Sequence, residues 1–425
     1  MFLNMTVQRN PDLIRTAALL HREGEIPANT YVLDVDAIYE NAAAIREVAD
    51  EYGASLYQMT KQHGRNPIAA LAAEAAGIKG AVCVDVDEAR ALAYYGVTIG
   101  HVGHLQQIPD HSIADVLSYK PEVFTCFSVE KAIRVGQEAV RLGREQQVLL
   151  RVRANEIEQD DFHPAQEGGI RLADLEQAVR TLDGIPGVRL VGVTTHPNFL
   201  YQASSGKVTP TKNFDTLLQA AEILRRCEVD VIQVNAPGVT CCATIPEAAS
   251  QGVTHVEPGS ALIGNTPLHA IKDQPEIPAM CYVTEVSHLV EDSALTIGYG
   301  FYPRSHLKEA LVGSNPEVLL EQRYPASKYP AEAIDYYGKL TIPSNSRKPK
   351  VGDTVVYAFR SQVFVSNSFV APLVGLSEGK PRLAGLWNSV GYPVDRQGRP
   401  LPLEEGEKMI IQAGYNFSNT KTLSR

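Results

Sequence analysis

Between residues 55 and 256 the chain repeats one pattern eight times: a short apolar run, then a stretch with helical spacing. The pattern predicts strands near 55–60, 81–84, 99–103, 123–127, 148–152, 190–194, 231–234 and 254–256. Most are followed by a helical segment such as 67–76 or 214–226. Strands that alternate with helices pair in parallel and are covered by those helices. Eight such units over about 240 residues suit a closed (β/α)8 barrel, with a doubly wound open sheet as the competitor. Upstream, residues 1–25 read as a helical lead-in. The β-rich run Tyr31-Val32-Leu33-Asp34 follows, then a helix with Ile38, Ala42, Ile45 and Val48 on one face.

Beyond about residue 270 the texture changes to short alternating runs at 280–286, 294–297, 340–342, 354–359 and 363–365, divided by turn clusters such as Pro343-Ser344-Asn345-Ser346. The expected organisation is a lead-in helix over 1–28, a (β/α)8 TIM-type barrel over 29–270 and an all-β C-terminal domain over 271–425. Lys and Arg number 39 against 49 Asp and Glu, a net charge of −10 that disfavours a nucleic-acid partner. No apolar run approaches the roughly 18–20 residues that span a bilayer. The start Met1-Phe2-Leu3-Asn4 lacks a secretory signal's basic region. Six cysteines without a CxxC spacing indicate neither a disulfide scaffold nor a zinc site. A cytoplasmic protein without a metal centre is expected. The acidic run at 156–161 reads as a solvated loop.

In a barrel, chemistry collects at the C-terminal ends of the strands. The first apolar run ends at Lys61, the third at His104, the fifth at Arg153 and the sixth at His196. The seventh leads into Asn235-Ala236-Pro237-Gly238-Val239-Thr240, and the eighth into Glu257-Pro258-Gly259-Ser260. The last two loops of a barrel commonly bind phosphate through backbone N–H groups, and Gly238 and Gly259 let the main chain approach an anion. A lysine at the end of an apolar strand is costly to bury charged, and such a lysine serves as an amine nucleophile toward a carbonyl. A Schiff-base lysine with a phosphate cradle suits a sugar-phosphate aldolase or a pyridoxal phosphate enzyme. Glu257 separates them, because a carboxylate beside a pyridine nitrogen keeps it protonated. His101 and His104, three apart on a strand, are expected on opposite faces and not as a metal pair. Cys241 and Cys242 read as buried packing.

These residues resemble the fold-type III pyridoxal phosphate proteins, the alanine racemase and ornithine decarboxylase group, over about residues 28–300. The stretches Met59–Pro67, Asn235–Thr240 and Thr254–Gly259 are most similar to the YhfX-type branch. The resemblance implies that Lys61 carries pyridoxal phosphate and that His196 stacks on its ring. It implies Glu257 at the ring nitrogen, Gly238, Thr240, Gly259 and Ser260 around the phosphate, and Asn235 among the cofactor-binding residues. Tyr337 or its neighbour Tyr336 is a further candidate for the phosphate, with packing as the alternative. Ile297-Gly298-Tyr299-Gly300-Phe301-Tyr302 is similar to the racemase segment whose tyrosine is the second base and comes from the partner subunit of a homodimer; Tyr299 and Tyr302 both fit. Arg153, Arg171 and Arg360 are candidates for the carboxylate of an amino-acid substrate, Arg153 and Arg360 foremost. Glu257 departs from alanine racemase, which sets an arginine at the ring nitrogen, and matches the decarboxylases. Gly352-Asp353-Thr354-Val355 is followed by Arg360-Ser361-Gln362 without the His-x-Cys pair of metal-dependent D-threonine aldolases and D-serine dehydratases. The implied activity is amino-acid racemisation, with a lyase such as a decarboxylase, or a non-catalytic cofactor carrier, as alternatives.

Overall fold

The computed structural model describes residues 2–156, 168–298, 305–328 and 336–415. In chain order the strands of the first half are β1 (Thr30–Asp34), β2 (Ser55–Leu56), β3 (Gln58–Met59), β4 (Ala81–Cys83), β5 (Ile99–Val102), β6 (Val123–Cys126), β7 (Gln146–Arg153), β8 (Ile170–Arg171), β9 (Val188–Thr194), β10 (Phe199–Gln202), β11 (Lys207–Pro210), β12 (Gln233–Asn235) and β13 (His255–Val256). They are followed by β14 (Met280–Val290), β15 (Ser293–Ile297), β16 (Glu309–Gly313), β17 (Arg323–Lys328), β18 (Tyr337–Thr341), β19 (Thr354–Tyr357), β20 (Phe369–Val374), β21 (Arg382–Leu383), β22 (Leu386–Asn388) and β23 (Pro393–Val394). Two compact units form: Ala44–Met59 with Gly77–Pro258, and Met1–Ala43 with Thr60–Ala76 and Gly259–Arg425.

The first unit is the barrel. Its strands run in the order β2-β13-β12-β9-β7-β6-β5-β4-β3, every neighbouring pair parallel. β2 and β3 are successive pieces of one strand interrupted at Tyr57, whose N–H donates to the Val256 carbonyl at 3.1 Å. β2 pairs with β13 and β3 with β4, so the ring closes and the open-sheet alternative falls away. All eight predicted strands are present. Side-chain caps start the helices between them: Asp85 accepts from Glu88 N at 2.8 Å and Ser128 from Lys131 N at 3.2 Å. The helix Val129–Arg141 buries Ala132, Val135, Gly136 and Ala139 and turns its charged positions outward.

The second unit is a largely antiparallel sheet in the order β15-β18-β17-β16-β19-β14-β1-β20-β22-β23, in which, among the described residues, only β1 and β20 run parallel. The helices Phe2–Arg9 and Pro11–Arg22 pack on it. Leu13, Ile14, Ala17 and Ala18 share one core with Val32, Cys281, Val283, Leu311, Val356 and Leu373. This division differs from the expected boundaries at 28 and 270. The lead-in helices and Thr30–Asp34 belong with the β domain, because β1 finds its partners in β14 and β20, some 250 and 340 residues on in sequence. The C-terminal domain is not purely β either: Leu403–Gln412 is a helix that buries Gly406 and Ile410. Val363–Val365 is a 3-10 turn where a strand was expected. β17 and β20 escaped the sequence reading because Pro325 and Pro372 interrupt them, and a proline inside a run argues against a strand. Among the described residues no helix is long and apolar enough to cross a membrane.

Candidate active site

The strand ends of the barrel bring a polar cluster into its interior. Glu257 follows β13 directly and its carboxylate is fully buried. Its Oε1 lies 2.7 Å from His101 Nδ1, on β5 across the barrel, and accepts from Asn235 Nδ2 at 2.9 Å, on neighbouring β12. The other ring nitrogen of His101 is 2.5 Å from Thr125 Oγ1 on β6. His104 Nε2 stands 3.9 Å from Glu257 Oε2, and the His101 and His104 rings lie 5.1 Å apart. Among the described residues Glu257 Oε2 is buried without a hydrogen-bond partner. A buried carboxylate oxygen left so is costly unless a further donor arrives.

The expectation that His101 and His104 face opposite ways is corrected. Strand alternation holds only while the strand lasts, and β5 ends at Val102. Gly103 follows at φ +78°, and a Cβ there would meet the Thr125 carbonyl at 2.5 Å. This left-handed residue swings His104 back to the side of His101.

Arg151 is the largest charged group sequence reading passed over. It is 2% exposed, and its guanidinium donates to the carbonyls of Gly168 (3.3 Å), His104 (3.1 Å) and His196 (3.3 Å) while lying 4.9 Å from the Phe127 ring. The signal was present: a lone charge inside the apolar run Val148-Leu149-Leu150-Arg151-Val152 raises the question asked of Lys61. Arg153 shares that side of β7 but lies at the rim, where it donates to the adjacent Ala154 and Asn155 carbonyls at 2.9 and 3.4 Å. The His196 ring meets His104 edge-on at 5.7 Å. The loop after β12 is braced on the loop after β9: Asn198 N donates to the Pro237 carbonyl and Val239 N to the Phe199 carbonyl, at 2.9 and 3.2 Å. A Cβ on Gly238 would meet Phe199 N at 2.7 Å, so the close approach of these loops demands glycine there. Thr240 is buried in the same loop.

In the other unit Lys61 is half-buried in the 3-10 turn Thr60–His63, which begins where β3 ends. Its ammonium lies 5.7 Å from the Phe364 ring centre, and the Arg65 guanidinium is as far from the same ring. Within the barrel unit, Met59 N donates to the Pro258 carbonyl at 2.8 Å. Ser260 accepts Asn265 N through its carbonyl, Gly259 likewise accepts Leu262 N, and Asn265 Nδ2 reaches Ser361 Oγ at 3.2 Å. Arg360, next to Ser361, has its Nε buried without a hydrogen-bond partner among the described residues. Burial pushes the pKa of His63 down to about 4, which keeps it neutral. Arg171 is bound to Asp174 on the surface. Tyr337, expected near the phosphate, is 36% exposed with its ring edge-on to His288 at 5.0 Å. Tyr299 and Tyr302 lie outside the described residues.

Residues 33–267 match the alanine racemase N-terminal domain, and residues 281–383 match the YhfX-like C-terminal domain. The chain is 40% identical to the YhfX protein of Escherichia coli K12 over 392 residues, which cover 92% of this chain and 99% of that one. Solved structures of similar fold include alanine racemase of Clostridium difficile 630 in complex with cycloserine (TM-score 0.59, 16% identity, 86% of this chain and 99% of that). They also include D-threonine aldolase of Filomicrobium marinum (TM-score 0.58, 14% identity, 86% and 96%). D-threo-3-hydroxyaspartate dehydratase of Delftia sp. HT23 is a third (TM-score 0.59, 18% identity, 84% and 96%). A (β/α)8 barrel of racemase type, a second domain of YhfX type and a relative matched over nearly its whole length together make this chain a member of the alanine racemase family.

Proposed function

We propose that the protein is a pyridoxal phosphate-dependent enzyme acting at the Cα of an amino acid, with racemisation as its reaction. The observation that carries this reading is Glu257: one carboxylate oxygen is engaged by His101 and Asn235, and the other is buried without a hydrogen-bond partner among the described residues, His104 Nε2 standing off at 3.9 Å. A protonated ring nitrogen is the donor that this oxygen lacks. Pyridoxal phosphate, when bound, supplies an electron sink for charge that develops at Cα. Glu257 would hold the proton at the ring nitrogen, since a nearby anion favours the charged form of its partner. Lys61 would hold the cofactor through its amine and would carry the Cα proton on one face. His196 would pack against the ring. Gly238, Thr240, Gly259 and Ser260 would bind the phosphate, while Asn235 would face the cofactor's other end, where its amide holds Glu257. Tyr299 or Tyr302, from the partner subunit of a homodimer, serves as the base on the opposite face, because inversion at Cα needs two bases. Arg360 is the stronger candidate for the substrate carboxylate, since Arg153 is spent on its own loop. The chain acts in the cytoplasm, in keeping with six cysteines of which none forms a disulfide.

One observation favours a second reading. Glu257 stabilises negative charge at Cα more strongly than an arginine would, which also suits a lyase such as a decarboxylase. Incubating the cofactor-loaded protein with a panel of single-enantiomer amino acids, and following chirality and CO2 separately, distinguishes the two. Chiral inversion without CO2 supports racemisation, CO2 supports the lyase, and neither reduces the protein to a cofactor carrier. Lys61→Ala is the blank for every arm.

A further inference from the structure

We infer that His101 is a positioning residue that orients Glu257 toward the ring nitrogen of the bound cofactor; this rests on the reading above. Glu257 is 3% exposed and His101 and Asn235 are both fully buried, so water does not set the direction of the carboxylate. Two donors converge on a single oxygen: His101 Nδ1 at 2.7 Å and Asn235 Nδ2 at 2.9 Å, both on Oε1. Oε2, which among the described residues has no hydrogen bond and only His104 Nε2 at 3.9 Å beside it, is thereby left as the acceptor for an incoming donor. His101 can keep Nδ1 protonated while remaining neutral, because Thr125 Oγ1, at 2.5 Å, is placed to donate to Nε2. A threonine hydroxyl thus selects the tautomer, and the tautomer selects the carboxylate oxygen. The three groups come from β5, β6 and the end of β13, so the chain of hydrogen bonds is braced on both walls of the barrel. His101, Asn235 and Thr125 add no net charge in this arrangement. Glu257 therefore keeps an anion for the protonated ring nitrogen to neutralise, and a charge-assisted hydrogen bond of this kind is stronger than a neutral one.

The experiment compares the dissociation constants of two probes for the full-length protein: pyridoxal phosphate, and its analogue in which the ring nitrogen is replaced by C–H. The ratio of the two reports the bond to the ring nitrogen and is insensitive to changes that weaken both alike. The wild-type chain should prefer pyridoxal phosphate by about tenfold or more, the scale of one charge-assisted hydrogen bond. His101→Leu should collapse this preference to within about twofold of unity. His101→Asn, whose amide nitrogen falls near the place of Nδ1, should preserve it; His101→Gln, whose donor falls near the place of Nε2, should not. If His101→Leu fails to fold, His101→Gln and Thr125→Val provide the same comparison, the latter with a partial loss. A preference unchanged in the His101→Leu or His101→Gln protein overturns the inference while leaving the cofactor reading intact. A wild-type chain that binds both probes equally removes Glu257 from the ring nitrogen and the inference with it. A wild-type chain that binds neither overturns the cofactor reading itself.

Discussion

Replacing Arg151 by methionine tests whether a buried guanidinium organises the ends of the barrel strands. Methionine keeps most of the apolar stem and removes every donor. Three carbonyls, of Gly168, His104 and His196, then lose their partner at 3.1–3.3 Å, and the Phe127 ring loses a cation 4.9 Å away. A hydrogen bond to a charged donor contributes about 1.5–3 kcal/mol, less at these long distances, and the ring contact about 0.5–2 kcal/mol. Against this, the variant escapes the desolvation of a charge that is 2% exposed. Taking about 1 kcal/mol per bond, and letting the ring contact roughly offset part of the desolvation, leaves a net loss of about 3 kcal/mol. For a unit of this size, that corresponds to a fall of roughly 6–12 °C in Tm. Arg153→Met is the internal control: at the rim, with two adjacent carbonyls as partners, it should stay within about 0.5 kcal/mol of the wild type. Urea unfolding followed by circular dichroism measures both, and Arg151→Lys should recover only part of the loss, since an ammonium cannot span three carbonyls in one plane. If the two methionine variants are equally stable, Arg151 is not a strut of the strand ends.

Further outcomes follow from the site. Purified protein should be yellow, and Lys61→Ala should abolish the visible band; an unchanged spectrum removes the assignment of Lys61. Glu257→Gln should retain the cofactor but lose most turnover, mainly in kcat, because the interaction strengthens as charge develops; normal turnover would place Glu257 elsewhere. Mixing Lys61→Ala subunits with Tyr299→Phe or Tyr302→Phe subunits should restore one competent site per heterodimer for one of the two pairs, and failure of both argues for sites built within one chain. His63, His255 and His269 are each held at about 4 by burial, His101 adding to the effect at His255 and Arg9 at His269. The unfolded chain therefore binds more protons than the folded one between pH 4 and 6.5. Stability is complete above that window and should fall through it by up to about 1.4 kcal/mol per pH unit for each histidine. His255→Phe, which keeps a ring against Tyr57 (now 5.4 Å from the imidazole), should flatten the slope in urea titrations at successive pH values.

The barrel was legible because parallel strands buried on both faces must be continuous apolar runs, and the helices between them must show a 3.6-residue period. Both are local properties that survive in the linear order. Lys61 and Glu257 were legible for the same reason, as charges where such a run stops. What the order of residues does not carry is which distant segments pair. Thr30–Asp34 has the composition of a barrel strand, and only its hydrogen bonds to β14 and β20 place it in the β domain. β20 was hidden by Pro372, whose missing N–H is tolerated once its neighbours are in place. His101 and His104 looked opposed because alternation assumes an unbroken strand, and a single left-handed glycine reversed the outcome. Arg151 and Arg153 are indistinguishable by type and parity, yet one is a buried strut and the other a rim residue. Depth along the barrel axis exists only once all eight strands have closed into a ring.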